Sequence, residues 1–168
     1  MAKIILICGL VGAGKSTYAR GLALSNDAIR FSVDEWMTTL FQADWPDDLN
    51  YNWAMERIDR IEDQMWQMVI QHMENDISVV MDLGLLKKDH RQKFYDLAAA
   101  QNYKLETHLV EADKDIRWER VQKRNSEKGK TYSLQVNREM FDFCENLFER
   151  PDSEELRNGV IIRTDIPK

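Results

Sequence analysis

The sequence predicts an α/β protein organised around a parallel sheet, and three observations carry that prediction. Short apolar, β-branched runs recur five times, at 4–8, 28–32, 77–81, 105–110 and 160–164. Helical patterns separate most of them, and such alternation implies right-handed crossovers and a sheet buried on both faces. The first run leads straight into a glycine-rich turn and then a helical segment at 17–25, the strand–loop–helix order of an anion-binding site. At 168 residues the chain is long enough for one such sheet with helices on both sides, so residues 1–168 read as a single domain. Ligands of a sheet of this kind collect at the carboxyl ends of the strands, which is where candidate residues belong.

The turn reads Gly9-Leu10-Val11-Gly12-Ala13-Gly14-Lys15-Ser16, a G-x-x-x-x-G-K-S phosphate-binding loop, followed by Thr17. Glycines let successive backbone N–H groups curl around a polyphosphate, the lysine reaches the β- and γ-phosphates, and the serine hydroxyl meets Mg²⁺. Residues 9–17 are therefore the expected nucleotide site.

The second run is followed by Ser32-Val33-Asp34-Glu35-Trp36, which puts Asp34 at a strand's carboxyl end. A carboxylate there could take the proton of a hydroxyl attacking the γ-phosphate; otherwise Asp34 or Ser32 merely caps the next helix. The segment 44–50, interrupted by Pro46, reads as an exposed loop flanking a cleft, with Trp45 as its one candidate stacking ring. A long helix is predicted from about Tyr51 to Glu74, where Ile58, Ile61, Met65, Met68, Val69 and His72 return to one face. The third run ends in Asp82, the apolar-strand-plus-acid pattern that orients Mg²⁺, usually through water; the alternative is an Asx turn before Gly84.

After it, Lys87, Lys88, His90 and Arg91 open a helix near the expected cleft, and Arg91 is the first choice among them for a substrate contact. Arg117, Arg120 and Arg124 fall three and four residues apart and share a helix face. Such a face suits a lid over phosphate at about 113–132, with Arg120 and Arg124 ahead of Arg117 as clamps on the transferring group. The polar stretch 125–132 is the expected lid tip.

Composition excludes several classes. Hydrophobic residues at 43% and charged residues at 31% describe a water-compatible globular chain, and no apolar run approaches the ~20 residues of a membrane span. No basic segment with an apolar core and cleavage site opens the sequence, so a cytoplasmic location is expected. Cys8 and Cys144, without nearby partners, read as buried thiols, and His72, His90 and His108 lack zinc-ligand spacing. A net charge of −6 disfavours a nucleic-acid partner and favours a small neutral or cationic substrate. No N-K-x-D guanine signature occurs, which disfavours a GTPase.

Together the loop, 32–37, 79–84, 117–125 and Phe148-Glu149-Arg150-Pro151 resemble P-loop kinases of the AAA-type ATP-binding-protein family, near zeta toxins, chloramphenicol phosphotransferase and polynucleotide 5′-kinases. That resemblance implies a three-layer α/β/α domain, a five-stranded parallel sheet ordered 2-3-1-4-5 and a helical lid. It also implies ATP with Mg²⁺, Asp34 as the hydroxyl-activating acid, Asp82 as the acid after the third strand, and Arg120 with Arg124 as lid arginines. The expected activity is transfer of the ATP γ-phosphate to a small-molecule hydroxyl by a monomer or homodimer. The alternatives are a polynucleotide 5′-hydroxyl kinase and an ATP-binding regulatory switch.

Overall fold

Five strands run parallel in the order β2-β3-β1-β4-β5: β1 (Ile4–Cys8), β2 (Ile29–Ser32), β3 (Val79–Gly84), β4 (Leu105–Glu111) and β5 (Val160–Arg163). A computed structural model supplies these coordinates and describes residues 1–46, 51–127 and 135–166. The helices are α1 (Lys15–Ser25), α2 (Val33–Phe41), α3 (Tyr51–Glu74), α4 (Lys88–Ala100), α5 (Lys114–Glu127) and α6 (Arg138–Leu147). The sheet order and the α/β/α layering match the expectation, and α3 has the anticipated bounds.

The layering follows from the period of two in a strand. Along β1, Ile4, Leu6 and Cys8 join α3 and α4 residues such as Met65, Val69 and Phe94 in one core. Ile5 and Ile7 point the other way and pack with Ala19 and Ala23 of α1. β1 is thus buried on both faces, which is why it reads as an unbroken apolar run. A third cluster, Val121, Val136 and Phe141, joins α5 to α6 beside Val11 of the loop.

Several boundaries differ from expectation, those of β3 and β5 with a local cause. β3 covers 79–84 and not 77–81, because the Ile77 N–H donates to His72 O at 2.9 Å and so closes the end of α3, after Asp76 turns through a φ of 55°. The strand then continues past Met81, leaving Asp82 inside it, paired beside Ile7 on β1 and Ser32 on β2. β5 ends at Arg163, and the next residue, Thr164, turns its hydroxyl to Ala13 O at 2.7 Å. Of the anticipated cleft loop and lid tip, 47–50 and 128–132 lie outside the described residues; α5 itself persists to Glu127.

Gly9, where β1 leaves the sheet, has a φ of 142°, and a Cβ there would stand 2.2 Å from Val110 O. Gly9→Ala is expected to cost about 2–5 kcal/mol through strain and backbone collision. Gly21→Ala, in the interior of α1 with nothing within 4 Å of the added Cβ, should instead gain about 0.5–1 kcal/mol. Urea unfolding of the two variants checks both signs.

Candidate nucleotide and phosphoryl-transfer site

The loop is shaped by where its carbonyls go. Arg117 donates from Nη1 to Val11 O at 3.3 Å and from Nε to Ala112 O at 2.9 Å. Arg120 donates from Nη1 to Gly12 O at 3.4 Å, and Thr164 Oγ1 takes the Ala13 carbonyl. In a trans peptide the following N–H is antiparallel to its carbonyl, so tying Val11 and Ala13 outward turns the Gly12 and Gly14 N–H groups the opposite way. The Ala13 N–H closes the turn on Leu10 O at 3.2 Å. Gly12, with a φ of 80°, lies so close to α5 that a Cβ would meet Arg117 O at 2.4 Å. Gly14 caps α1 in a left-handed conformation, and the helix begins at Lys15. The outcome is a concave surface of backbone donors ending on a helix N-terminus, a fitting seat for polyphosphate.

That surface is one wall of a cavity of about 380 Å³. Lys15, Ser16, Thr17 and Asp34 line it, with Arg20 and Glu35 on one side and Arg120, Arg124, Val136, Met140 and Cys144 on the other. Lys15 Nζ donates to Leu10 O at 3.0 Å. Loss of water lowers its pKa, an effect only partly offset by the nearby Asp82 and Asp34 charges. Asp34 faces the cavity from the first turn of α2, which Ser32 caps through its hydroxyl. Its carboxylate has surface open to the cavity yet is ringed by protein, and desolvation raises its pKa against the pull of Lys15. Among the described residues the Asp34 carboxylate accepts no hydrogen bond.

The structure therefore gathers Lys15, Ser16, Thr17, Asp34, Arg120 and Arg124 on one cavity. The three arginines divide. Arg124 lies near enough to Asp34 to favour its ionised form. Arg120 holds Thr164 O at 2.9 Å and Thr164 Oγ1 at 2.8 Å, while Arg117 is buried in a pair with Glu145 at 2.6 Å that binds α5 to α6. Asp82 is not among the residues lining the cavity: it is buried within β3 beside the lining residue Ser32, 5% exposed, with Arg30 Nη1 at 2.9 Å from its Oδ2.

Arg91, expected at the acceptor, is not among the residues lining the cavity: its side chain is fully buried. It donates from Nε to Glu155 Oε1 at 2.6 Å and from Nη1 to Leu85 O and Leu86 O, fastening the C-terminal segment to the β3–α4 turn. A guanidinium with no exposed surface has none to offer a ligand in the cavity. His90 is likewise turned to Glu62 Oε2 at 2.8 Å, and Trp45 is half-buried away from the cavity lining. Cys8 is buried, its thiol pushed up to about 12 by loss of water, but Cys144, expected buried, is half-buried on the cavity wall.

Sequence reasoning missed Thr164, Glu35 and Arg30. Thr164 follows β5 at its carboxyl end, so the rule that picked Asp34 would have found it. Arg30 interrupts an otherwise apolar strand, a signal that a charge within β2 had a partner.

Comparison with known proteins gives a family and a fold. The family model described as AAA domain matches residues 4–151. No curated protein matches the chain. Among solved structures the chain is similar to Kti12 of Chaetomium thermophilum, determined with ADP-AlF3, at TM-score 0.74 and 14% identity over 96% of this chain and 89% of that one. It is similar to a provisionally assigned kinase of Chloroflexus aurantiacus, at TM-score 0.75 and 16% identity over 99% and 90% of the two chains. A gluconokinase of Sinorhizobium meliloti gives TM-score 0.60 and 16% identity over 98% and 84%. At these identities the likeness is one of fold. Among the described residues no helix is long and apolar enough to cross a membrane.

Arg91→Ala leaves Glu155, whose side chain is 5% exposed, without its cation. The expected loss is about 3–5 kcal/mol of stability. Chemical unfolding checks this, since a substrate contact would raise KM and leave the unfolding midpoint alone.

Proposed function

This chain belongs to the AAA-domain family, and from that premise we propose that it is an ATP-dependent kinase transferring the γ-phosphate to a hydroxyl of a small molecule. One observation carries the reading: the Asp34 carboxylate opens onto the cavity that also holds Lys15, Ser16 and the backbone donors of the loop. A nucleotide-binding switch needs the loop but has no use for a proton acceptor of raised pKa beside it. The likeness in fold to a gluconokinase supports a hydroxyl acceptor. The net charge of −6 argues against a strand of nucleic acid.

In this reading the loop N–H groups and Lys15 hold the β- and γ-phosphates, and Lys15 exchanges Leu10 O for phosphate oxygen. The acceptor oxygen forms a bond to the γ-phosphorus as the bond from that phosphorus to the β,γ-bridging oxygen breaks. ADP leaves, and the hydroxyl proton passes to Asp34 Oδ. Arg124 faces the transferring group and balances its charge, while Arg120 and Arg117 hold the loop and α5 in place. Closure of α5 and α6 excludes water.

The donor set fits Mg²⁺, since the Ser16 hydroxyl lines the cavity and the Asp82 carboxylate belongs to the strand residue paired beside the lining Ser32, all oxygen and few in number, as a cation shared with phosphate requires. When bound, Mg²⁺ neutralises charge on the β- and γ-phosphate oxygens. Ser16 would ligate directly and Asp82 through water.

Asp34→Asn should keep ATP binding and reduce transfer by about 10²–10⁴-fold. Lys15→Ala should lose both. The measurement is phosphate transfer from labelled ATP across a panel of hydroxyl metabolites, beside ATP calorimetry. Binding without transfer to any compound by the wild type would overturn the kinase reading in favour of the switch.

The pH dependence has a definite sign. Asp34 must be ionised to accept the proton, so kcat/KM falls as pH drops through a pKa raised above the usual carboxylate value. For stability the same shift acts oppositely. A raised carboxyl pKa favours the folded protein below the unfolded pKa, and that contribution is lost as pH rises through the folded value. At neutral pH the nucleotide-free Asp34→Asn protein should therefore melt no lower than wild type in a calorimetric scan.

A further inference from the structure

At one side of the cavity four charged side chains join four elements. Arg20 of α1 and Arg30 of β2 both donate to Glu35 Oε1 at the start of α2, Arg20 at 2.6 Å. Arg30 also reaches β3, its Nη1 donating to Asp82 Oδ2 at 2.9 Å. These elements bear the groups of the reaction: α1 carries Lys15 and Ser16, α2 carries Asp34 and β3 carries Asp82.

The two halves of this chain differ in environment. Glu35 is 48% exposed, and an ion pair there adds little to stability. Arg30 and Asp82 are 11% and 4% exposed, so their bond is shielded and directional. Among the described residues Asp82 has no other side-chain hydrogen bond. The largest opposing charge felt by Lys15 is that of Asp82. Without Arg30, a buried Asp82 keeps the Lys15 charge to turn toward, and that cation is the lysine phosphate needs.

We propose that Arg30 is a positioning residue of the phosphoryl-transfer site: bridging Glu35 and Asp82, it aims the Asp82 carboxylate at the cation seat, holds it off Lys15, and fixes the start of the helix bearing Asp34. The inference rests on the reading of Asp34, Asp82 and Ser16 given above. It assigns Arg30 a task no contact with substrate would explain, because Arg30 does not line the cavity.

The test is calorimetric titration of Mn²⁺ into the full-length protein saturated with ADP, beside steady-state kinetics. Arg30→Gln should lower Mn²⁺ affinity by about 10-fold or more. Arg30→Lys, which keeps the charge near Asp82, should recover most of that loss. Glu35→Gln leaves the Arg30–Asp82 bond and is half-exposed, so it should fold; it should keep Mn²⁺ affinity and lower kcat at unchanged KM for ATP. An Arg30→Gln protein that melts lower but binds Mn²⁺ like wild type would reduce Arg30 to a structural role, as would a Glu35→Gln enzyme with wild-type kcat. Should Arg30→Gln fail to fold, the Arg30→Lys and Glu35→Gln arms decide by the same readouts. If the wild type transfers no phosphate, the kinase reading fails by itself and the Mn²⁺ titrations alone decide for or against Arg30.

Discussion

The structure depends on a constraint at one short turn: backbone between β1 and α1 must offer donors inward, so its carbonyls need partners outside. Those partners come from far along the chain, Arg117 and Arg120 on α5 and Thr164 after β5. Each is held in turn, Arg117 by Glu145 of α6 and Arg120 by Thr164. The loop is thus less a flexible glycine segment than a surface braced from behind by the last third of the sequence. Gly9 and Gly12 are required chiefly because neighbouring backbone, at Val110 and Arg117, lies where a Cβ would go. Such bracing lowers the cost of organising donors when a ligand arrives, the usual basis of electrostatic preorganisation.

The electrostatics of the cavity follow from its desolvation. Lys15, half-buried, and Asp34, exposed on the cavity wall, are each shifted toward neutrality by loss of water and toward charge by one another, and for both groups the loss of water is the larger effect. In the absence of ligand the pair therefore costs the fold something at neutral pH. A triphosphate reverses that for Lys15, giving a poorly hydrated cation its anion. Among the described lining residues four are basic and two acidic, in a chain of net charge −6. The excess of basic groups that attracts a polyanion is local to the cleft, in a chain acidic as a whole.

How much of this was legible in the sequence depends on whether the signal was local. The loop, β1 and the 51–74 helix were read in place because glycine spacing and hydrophobic period are properties of neighbouring residues. Asp34 was expected at the cleft because parallel sheets present ligand-binding groups at strand ends, and it lines the cavity. The third strand's start was misplaced because Ile77, apolar and β-branched, is taken by the cap of α3, a hydrogen bond that composition does not reveal. Arg91 was misassigned for a related reason. Its position on α4 is near the cleft in sequence, but its direction is set by Glu155, 64 residues away. The lid arginines shared a predicted face, yet only the fold separates Arg124 beside Asp34 from Arg117 and Arg120, which serve the loop.

The same distinction explains why the carboxylates near the site are not equivalent. The Asp34 carboxylate accepts no hydrogen bond among the described residues and its pKa is raised by loss of water, which suits a proton acceptor. Glu35, its neighbour in sequence, is pulled the other way: burial alone would raise its pKa, but bonds from Arg20 and Arg30 outweigh it and hold the carboxyl below its usual value. Asp82 is bonded on one side by Arg30 and lies in the field of Lys15 on the other. Three acids within one region thus receive three environments, and the difference is made by where two arginines end. In the proposed reading a proton acceptor, a fixed anchor and a cation-facing carboxylate are drawn from the same residue types because charge pairing, more than identity, sets what each is able to do.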